Sequence, residues 1–257
     1  MTFDPATEIV GLDEYVPYVS ICLYSEPGVG KTVWLASAKT PTLILATEPG
    51  TVSAARMLPN AKHVKVIDCS SPYEGWRKYE EVVEWLKDGN AQNFDWIQTD
   101  TATRLQRNIM LGQAAERSVD ASAKNQNIDK FQLDEYGTQQ NAFMRLVETI
   151  NDLEVNTVWA CHAVTQEDID GDLYVKPNIH GKDGKPGEMS TWLSANCMMT
   201  GYMRPIQVQK KGGEKVPGRQ IVWQGNKAIR AKDRFACLGE FTVDKTLAQV
   251  QDIVFAE

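Results

Sequence analysis

The chain has 257 residues, of which 42% are hydrophobic and 24% are charged, a composition typical of globular proteins. It has no apolar run approaching the roughly 18 residues of a membrane span, and its first residues lack the basic and apolar segments of a signal peptide. Five scattered cysteines, none in a Cys-x-x-Cys pair, predict reduced thiols and no zinc site. We therefore expect a cytoplasmic protein without a membrane partner.

Charge is distributed unevenly along the chain. The net charge is −7, yet residues 176–234 contain twelve Lys or Arg and four Asp or Glu, a local net of +8. The remainder then carries −15. A basic third on an acidic body predicts a site for a polyanion, but a solvated, lysine-rich surface would have the same composition. Charge alone does not choose between these interpretations.

Residues 1–17 are a short lead-in, and the apolar run 19–24 predicts a buried strand. Residues 25–32 follow as a glycine loop that ends in Lys31 and Thr32, and a helix is expected from there to about Lys39. Gly28 and Gly30 permit positive φ angles, so that backbone N–H groups can converge on phosphate oxygens. This order of elements predicts a loop that binds a nucleoside triphosphate, although Ser25 stands where the motif usually has Gly.

ATP and Mg²⁺ are therefore the expected cofactors. Lys31 would reach the β- and γ-phosphates, and the Thr32 hydroxyl would be a ligand of Mg²⁺. The predicted nucleotide contacts are Glu26, Pro27, Gly28, Val29, Gly30, Lys31, Thr32 and Val33.

Three later strands each end in a polar residue. Strand 42–47 is followed by Glu48, strand 94–100 ends in Asp100, and strand 155–161 is followed by His162. The carboxyl ends of parallel strands form the ligand side of an open α/β sheet, so these side chains are candidate site residues. Asp100 is the predicted second residue on the Mg²⁺ side. Glu48 could also be a turn residue before Pro-Gly, and His162 could be purely structural.

The other elements follow in order. Residues 51–58, 72–88, 137–153 and 188–195 are predicted helices, 63–68 is a strand toward a sheet edge, and 112–136 is either helix or a mobile insertion. Residues 165–187 are predicted to be loop. A strand over 196–204 is followed by a turn at 210–215 and a return strand at 220–223, and a helix ends the chain.

The phosphate loop, Glu48, the pair Asp100-Thr101 and the motif Lys232-Asp233-Arg234 occur in an order that resembles the RecA-like ATPase core. In particular, the chain resembles the short, core-only RecA-like proteins of bacteriophages that act in recombination and single-strand annealing. The resemblance covers residues 18–242 and leaves 243–257 as a C-terminal helix. It implies an α/β fold with a mainly parallel central sheet flanked by helices and a C-terminal antiparallel β extension.

The resemblance also implies roles for individual residues. Glu48 matches the general base that polarises the attacking water, and His162 stands where such proteins carry a polar sensor of the γ-phosphate, commonly Gln. Lys232 and Arg234 match paired cations that reach the nucleotide of a neighbouring subunit. The loops after His162 and around 176–187 correspond to DNA-binding loops, which makes Lys176, Lys182 and Lys185 the predicted DNA contacts.

The expected function is that of an ATPase, stimulated by single-stranded DNA, that promotes annealing or strand exchange in phage recombination. Its implied partners are single-stranded DNA, further copies of the chain in a ring or filament, and a single-strand binding protein; if phage-encoded, it would act in the host cytoplasm. Phe3-x-x-Ala6 resembles a short motif that hooks neighbouring recombinase subunits, although two residues often match by chance. The main alternative is a protein-remodelling ATPase such as a helicase loader or phage assembly factor.

Overall fold

The computed structural model describes residues 18–120, 126–128, 130–181, 188–209 and 213–256. The motif Phe3-x-x-Ala6 and the predicted contacts Lys182 and Lys185 lie outside the described residues. Within them, ten strands are linked by hydrogen bonds: β1 (Ser20–Ser25), β2 (Thr42–Ala46), β3 (Val64–Asp68), β4 (Trp96–Asp100), β5 (Asn156–Glu167), β6 (Leu173–Pro177), β7 (Met199–Gln209), β8 (Lys215–Val222), β9 (Lys232–Asp233) and β10 (Phe241–Val243).

The helices alternate with the strands along the chain. In the described part they are α1 (Lys31–Leu35), α2 (Val52–Met57), α3 (Gly75–Lys87), α4 (Ala102–Val119), α5 (Leu133–Asn151), α6 (Met189–Asn196) and α7 (Leu247–Val254), with short 3₁₀ turns at Pro49–Thr51 and Asn90–Asn93. None of them combines the length and the hydrophobicity needed to cross a bilayer.

The sheet is parallel in its centre and antiparallel at one end. Its strand order is β10-β8-β7-β1-β5-β4-β2-β3, and the six strands from β7 to β3 run parallel to one another. Strands β8 and β10 pair antiparallel, β6 folds back on β5, and β9 pairs with the start of β7. The predicted fold class, a mainly parallel α/β sheet with a C-terminal antiparallel extension, is confirmed.

Apolar side chains cover both faces of the sheet. Every residue of β2 and β4 is buried, as expected for strands between two helical layers. One buried cluster packs α3, α4 and α5 on the sheet and includes Trp159 of β5 and Phe143 of α5. The other packs α1 and α7 on the sheet and includes Trp96 of β4, Trp34 of α1 and Leu247 of α7. This three-layer packing holds the carboxyl edge of the parallel strands in place.

Two local predictions were wrong. The helix after the phosphate loop ends at Leu35 instead of near Lys39, because the Ser37 hydroxyl bonds back to the Trp34 carbonyl at 2.5 Å and accepts the Leu247 N–H at 2.9 Å. Residues 165–187 are not simply loop: β5 continues to Glu167 and β6 returns from Leu173, forming a hairpin.

The segment 112–136, left undecided by the sequence, is partly helical. Helix α4 extends to Val119, and α5 begins at Leu133 behind a capping box formed by Gln132 and Glu135.

Candidate nucleotide site

The parallel strands bring the predicted site residues to one edge of the sheet. β1 leads directly into the phosphate loop, Glu48 follows β2, and Asp100 is the last residue of β4. His162 lies within β5, opposite Ser25 in the register of the two strands. Since β1, β5, β4 and β2 are consecutive neighbours running in one direction, their carboxyl ends must meet here.

The phosphate loop has the backbone geometry that its glycines permit. Gly28 and Gly30 have φ angles of 80° and 104°, and residues 26–28 are exposed and accessible to a ligand. The Lys31 ammonium is buried at the base of the loop, where it donates to the Ser25 carbonyl at 3.2 Å and to the Ser25 hydroxyl at 3.0 Å. Burial lowers the pKa of Lys31, whereas Asp100 acts in the opposite direction.

Ser25 has a role that the sequence did not reveal. Its side chain is fully buried, and its hydroxyl accepts from Lys31 while donating to the Glu26 carbonyl at 2.8 Å. The departure from Gly therefore adds a polar contact that holds the Lys31 ammonium inside the loop.

Thr32 and Asp100 form the predicted metal side of the site. The Thr32 hydroxyl donates to Oδ2 of Asp100 at 2.8 Å. The other carboxylate oxygen, Oδ1, is buried and has no hydrogen-bond partner among the described residues. Burial raises the pKa of Asp100 above its ordinary value. A buried carboxylate with a free oxygen next to a Thr hydroxyl fits a hydrated Mg²⁺ ion, which prefers oxygen ligands.

Glu48 and His162 contact each other across the opening of the site. Nε2 of His162 lies 3.3 Å from Oε2 of Glu48, and the two side chains are 26% and 27% exposed, respectively. The hydrogen bond from His162 holds the pKa of Glu48 below its ordinary range. The carboxylate is therefore ionised and accessible to a water molecule, as a base requires.

Threonine side chains fix the spacing between these strands. The Thr47 hydroxyl donates to the Thr101 carbonyl at 2.7 Å and accepts the Thr101 N–H at 2.8 Å. The Thr103 hydroxyl accepts the backbone N–H of His162 at 3.0 Å. Because these residues look like ordinary polar positions beside a strand, no sequence signal distinguishes them.

The sequence matches the family described as AAA domain over residues 18–235, which is most of the chain. The chain belongs to the AAA domain family. With its phosphate loop, this membership makes it a P-loop ATPase domain.

Solved structures with a similar arrangement are distant in sequence. A KaiC-like protein from Pyrococcus horikoshii is 11% identical, with 79% of this chain and 77% of that chain covered and a TM-score of 0.43. The flagellar accessory protein FlaH from Methanocaldococcus jannaschii is 13% identical, with 90% and 92% covered and a TM-score of 0.41. No curated protein matches the sequence significantly.

Lys232 and Arg234 do not reach the nucleotide site of their own AAA domain. Strand β9 pairs with Met199 and Thr200, which are in register with the first half of β1. This is the amino end of the parallel strands, whereas the phosphate loop follows their carboxyl end. Both side chains donate to the Ala195 carbonyl at 3.3 Å. Their predicted action on a neighbouring subunit stays a prediction.

The predicted DNA contact at Lys176 was wrong in its placement. Only 3% of this residue is exposed, and its ammonium donates to Oε1 of Glu188 at 2.7 Å. The ammonium forms a buried ion pair between β6 and the residue that precedes α6, and a polyanion has no access to it.

A polar cleft lies close to Lys176, on the surface of the AAA domain. It has a volume of about 570 Å³, and it is lined by Asp168, Tyr174, Gly225, Asn226, Lys227, Ile229, Arg230 and Ala231. The Arg230 guanidinium lies 5.4 Å from the centre of the Tyr174 ring. The hydroxyl of Tyr24, at the end of β1, is bonded to the Arg230 carbonyl at 2.7 Å and to the Val175 carbonyl at 3.1 Å. The cleft walls are thus attached to the strand that carries the phosphate loop.

Proposed function

We propose that this AAA domain hydrolyses ATP in a Mg²⁺-dependent reaction for which Glu48 is the base. The observation that carries the proposal is the convergence of Lys31, Thr32, Asp100 and Glu48 at one sheet edge, with the Thr32–Asp100 hydrogen bond at 2.8 Å. These residue types supply the phosphate cation, the metal ligands and the water-orienting carboxylate that phosphoryl transfer needs.

Each side chain of the site has a separate role in the proposed reaction. Lys31 stabilises negative charge on the β- and γ-phosphates, and bound Mg²⁺ would add further charge neutralisation from the side of Thr32 and Asp100. Glu48 accepts a proton from the attacking water as its oxygen bonds to the γ-phosphorus and the bond to the ADP oxygen breaks. His162 keeps the Glu48 carboxylate ionised and oriented toward the site.

Single-stranded DNA is the partner that we propose for the Tyr174 cleft. An aromatic ring beside cations is the usual combination for binding a single strand, since bases stack and phosphates pair with the charges. Lys227 and Arg230 supply these cations in place of Lys176. Annealing or strand exchange would then take place on a homo-oligomer, ring or filament, in which Lys232 and Arg234 complete the site of the next subunit.

A second candidate function rests on the hairpin that borders the cleft. Its tip carries Asp168, Asp170 and Asp172, and the Asp168 carboxylate accepts the N–H groups of the other two at 2.9 Å. Negative charge at this position repels a polyanion and favours a basic protein surface. A protein-remodelling ATPase would use the same nucleotide site with this different partner.

ATP turnover with and without single-stranded DNA, at two salt concentrations, tests the choice. We expect stimulation that weakens as salt rises, because phosphate contacts release counterions. Stimulation should fall in Tyr174→Ala and Lys227→Ala, whereas Lys65→Ala, which removes an exposed charge on the far edge strand, should leave it unchanged. Hydrolysis indifferent to DNA in the wild-type protein would favour the remodelling function, and the absence of hydrolysis would contradict both.

A further inference from the structure

Arg219 lies against the phosphate loop of its own chain. A Cβ atom placed on Gly30 would lie 2.9 Å from Nη1 of Arg219, 3.6 Å from its Cδ and 3.8 Å from its Cζ. Gly30 directly precedes Lys31, so the guanidinium stands beside the part of the loop that faces the phosphates. Nothing in the sequence pattern had marked this arginine, which lies 189 residues after Gly30.

The antiparallel extension of the sheet carries Arg219 to this position. β7 is in register with β1 as far as Tyr202, opposite Tyr24, and then continues past the end of β1, paired with β8. Arg219 pairs with Pro205 in this projecting part of the hairpin. The hairpin therefore rises beside the phosphate loop, and the Arg219 side chain crosses the gap between them.

The backbone of Arg219 is fixed by the segment after β10. Its N–H donates to Oδ1 of Asp244 at 2.7 Å, and its carbonyl accepts the Asp244 N–H at 2.8 Å. The preceding Gly218 packs closely here, since an added Cβ would meet Val208 at 2.5 Å and Asp244 at 2.7 Å. The stem of the side chain thus starts from a rigid point.

The guanidinium itself has no partner in the part of the chain that the structure describes. It makes neither a hydrogen bond nor an ion pair there, and the residue is half-buried. The loop beside it is built to receive phosphate oxygens, so a bound phosphate chain would supply the acceptors that the guanidinium lacks. An arginine fork matches two phosphate oxygens at once.

We propose that Arg219 binds the phosphate chain of the nucleotide held by the same subunit. This inference rests on the nucleotide binding proposed for the phosphate loop. It assigns to the antiparallel hairpin a direct part in the site: the hairpin supplies a cation from within the chain. Lys232 and Arg234, in contrast, lie near the start of β1, away from that chain's own loop. Arg219 is a binding residue, because its guanidinium contacts the ligand.

The test measures the dissociation constants of Mg²⁺–ATP and of Mg²⁺–tripolyphosphate, which has no base or sugar. Arg219→Ala should weaken both by about tenfold to hundredfold, the range for a hydrogen bond to a charged group. Arg219→Lys should recover part of the loss. Lys215→Ala removes a charge from the exposed start of the same strand and should leave both constants unchanged.

Each other outcome overturns the inference. If Arg219→Ala binds both ligands as tightly as the wild-type protein, Arg219 does not contact the phosphates. If Lys215→Ala weakens binding as much as Arg219→Ala, the effect comes from the loss of positive charge in general and not from a specific contact. Loss of ATP affinity with unchanged tripolyphosphate affinity would place the arginine on the base or sugar. Wild-type protein that binds neither ligand would overturn the proposed function as well. Arg219→Gln, which keeps most of the stem, serves if Arg219→Ala does not fold.

Discussion

The hydroxyl of Thr32 donates a 2.8 Å hydrogen bond to Oδ2 of Asp100, a residue 68 positions later in the chain. Thr32 is the second residue of α1, the helix after the phosphate loop, and Asp100 ends β4, two strands away from β1 across the sheet. The bond ties the two halves of the expected Mg²⁺ site together. It leaves Oδ1 of Asp100 available for the ion or its water shell.

Replacing Glu48 by Gln should separate nucleotide binding from hydrolysis. The amide keeps the size of the side chain but cannot accept a proton from water, so we expect kcat to fall by about 10²- to 10⁴-fold. The dissociation constant for ATP should change little, because Lys31 and the loop backbone are untouched. Steady-state hydrolysis and equilibrium binding measure the two effects. Glu84→Gln, on the exposed side of α3, is the matched control, and unchanged kcat in Glu48→Gln would exclude the base role.

Removing His162 should shift the acid side of the pH–rate profile upward. The His162 hydrogen bond lowers the pKa of Glu48, with smaller contributions in the same direction from Lys31 and Arg104, and burial opposes them. A base with a lowered pKa stays active until the pH falls below that value. In His162→Ala the pKa rises, so activity should begin to fall at a higher pH than in the wild-type protein.

His162→Gln provides the contrast, because its amide N–H can still donate to Glu48. We expect its acid limb to lie nearer to that of the wild-type protein. Identical acid limbs in all three proteins would mean that His162 does not tune the base.

Arg234→Ala tests whether the site is completed by a neighbouring subunit. Arg234 lies near the amino ends of the parallel strands and Lys31 near their carboxyl ends, so the arginine of one subunit would act on the phosphate loop of the next. Each substitution therefore disables every site in a uniform oligomer, and each variant alone should lose most of its activity. Mixed subunits of Arg234→Ala and Lys31→Ala should regain hydrolysis, because some interfaces then combine an intact loop with an intact arginine. The recovery is measured by comparing the ATP turnover of the mixture with that of each variant alone. Full activity of Arg234→Ala alone would contradict the prediction.

Phe143→Ala should destabilise the helical layer that supports β4 and β5. Phe143 is completely buried in the cluster with Trp159, so its removal creates a cavity and should cost about 3–5 kcal/mol in the free energy of unfolding. Phe241→Ala removes a ring that is 49% exposed and should cost far less. Urea unfolding of both variants gives the comparison, and equal losses would contradict this account of the core.

The local sequence was enough to predict the phosphate loop and most of the parallel strands. The glycine spacing before Lys31 and the apolar runs of β1, β2 and β4 are short-range patterns with one main structural solution. Glu48, Asp100 and His162 could be placed on one edge because parallel strands align their carboxyl ends. The candidate site residues could therefore be predicted from their positions at the ends of strands.

Contacts between distant segments could not be read from the same patterns. Lys176 looked like a free cation until the fold paired it with Glu188, and Ser25 looked like a defect in the motif until it met Lys31. Arg219 reaches Gly30 only because the β7–β8 hairpin extends beyond β1. The sequence by itself determined the element types and the strand ends, because these depend on local backbone preference and hydrophobic periodicity. Only the tertiary structure decided which charges are buried, paired or facing the phosphate loop, because burial and pairing depend on which segments the sheet brings together.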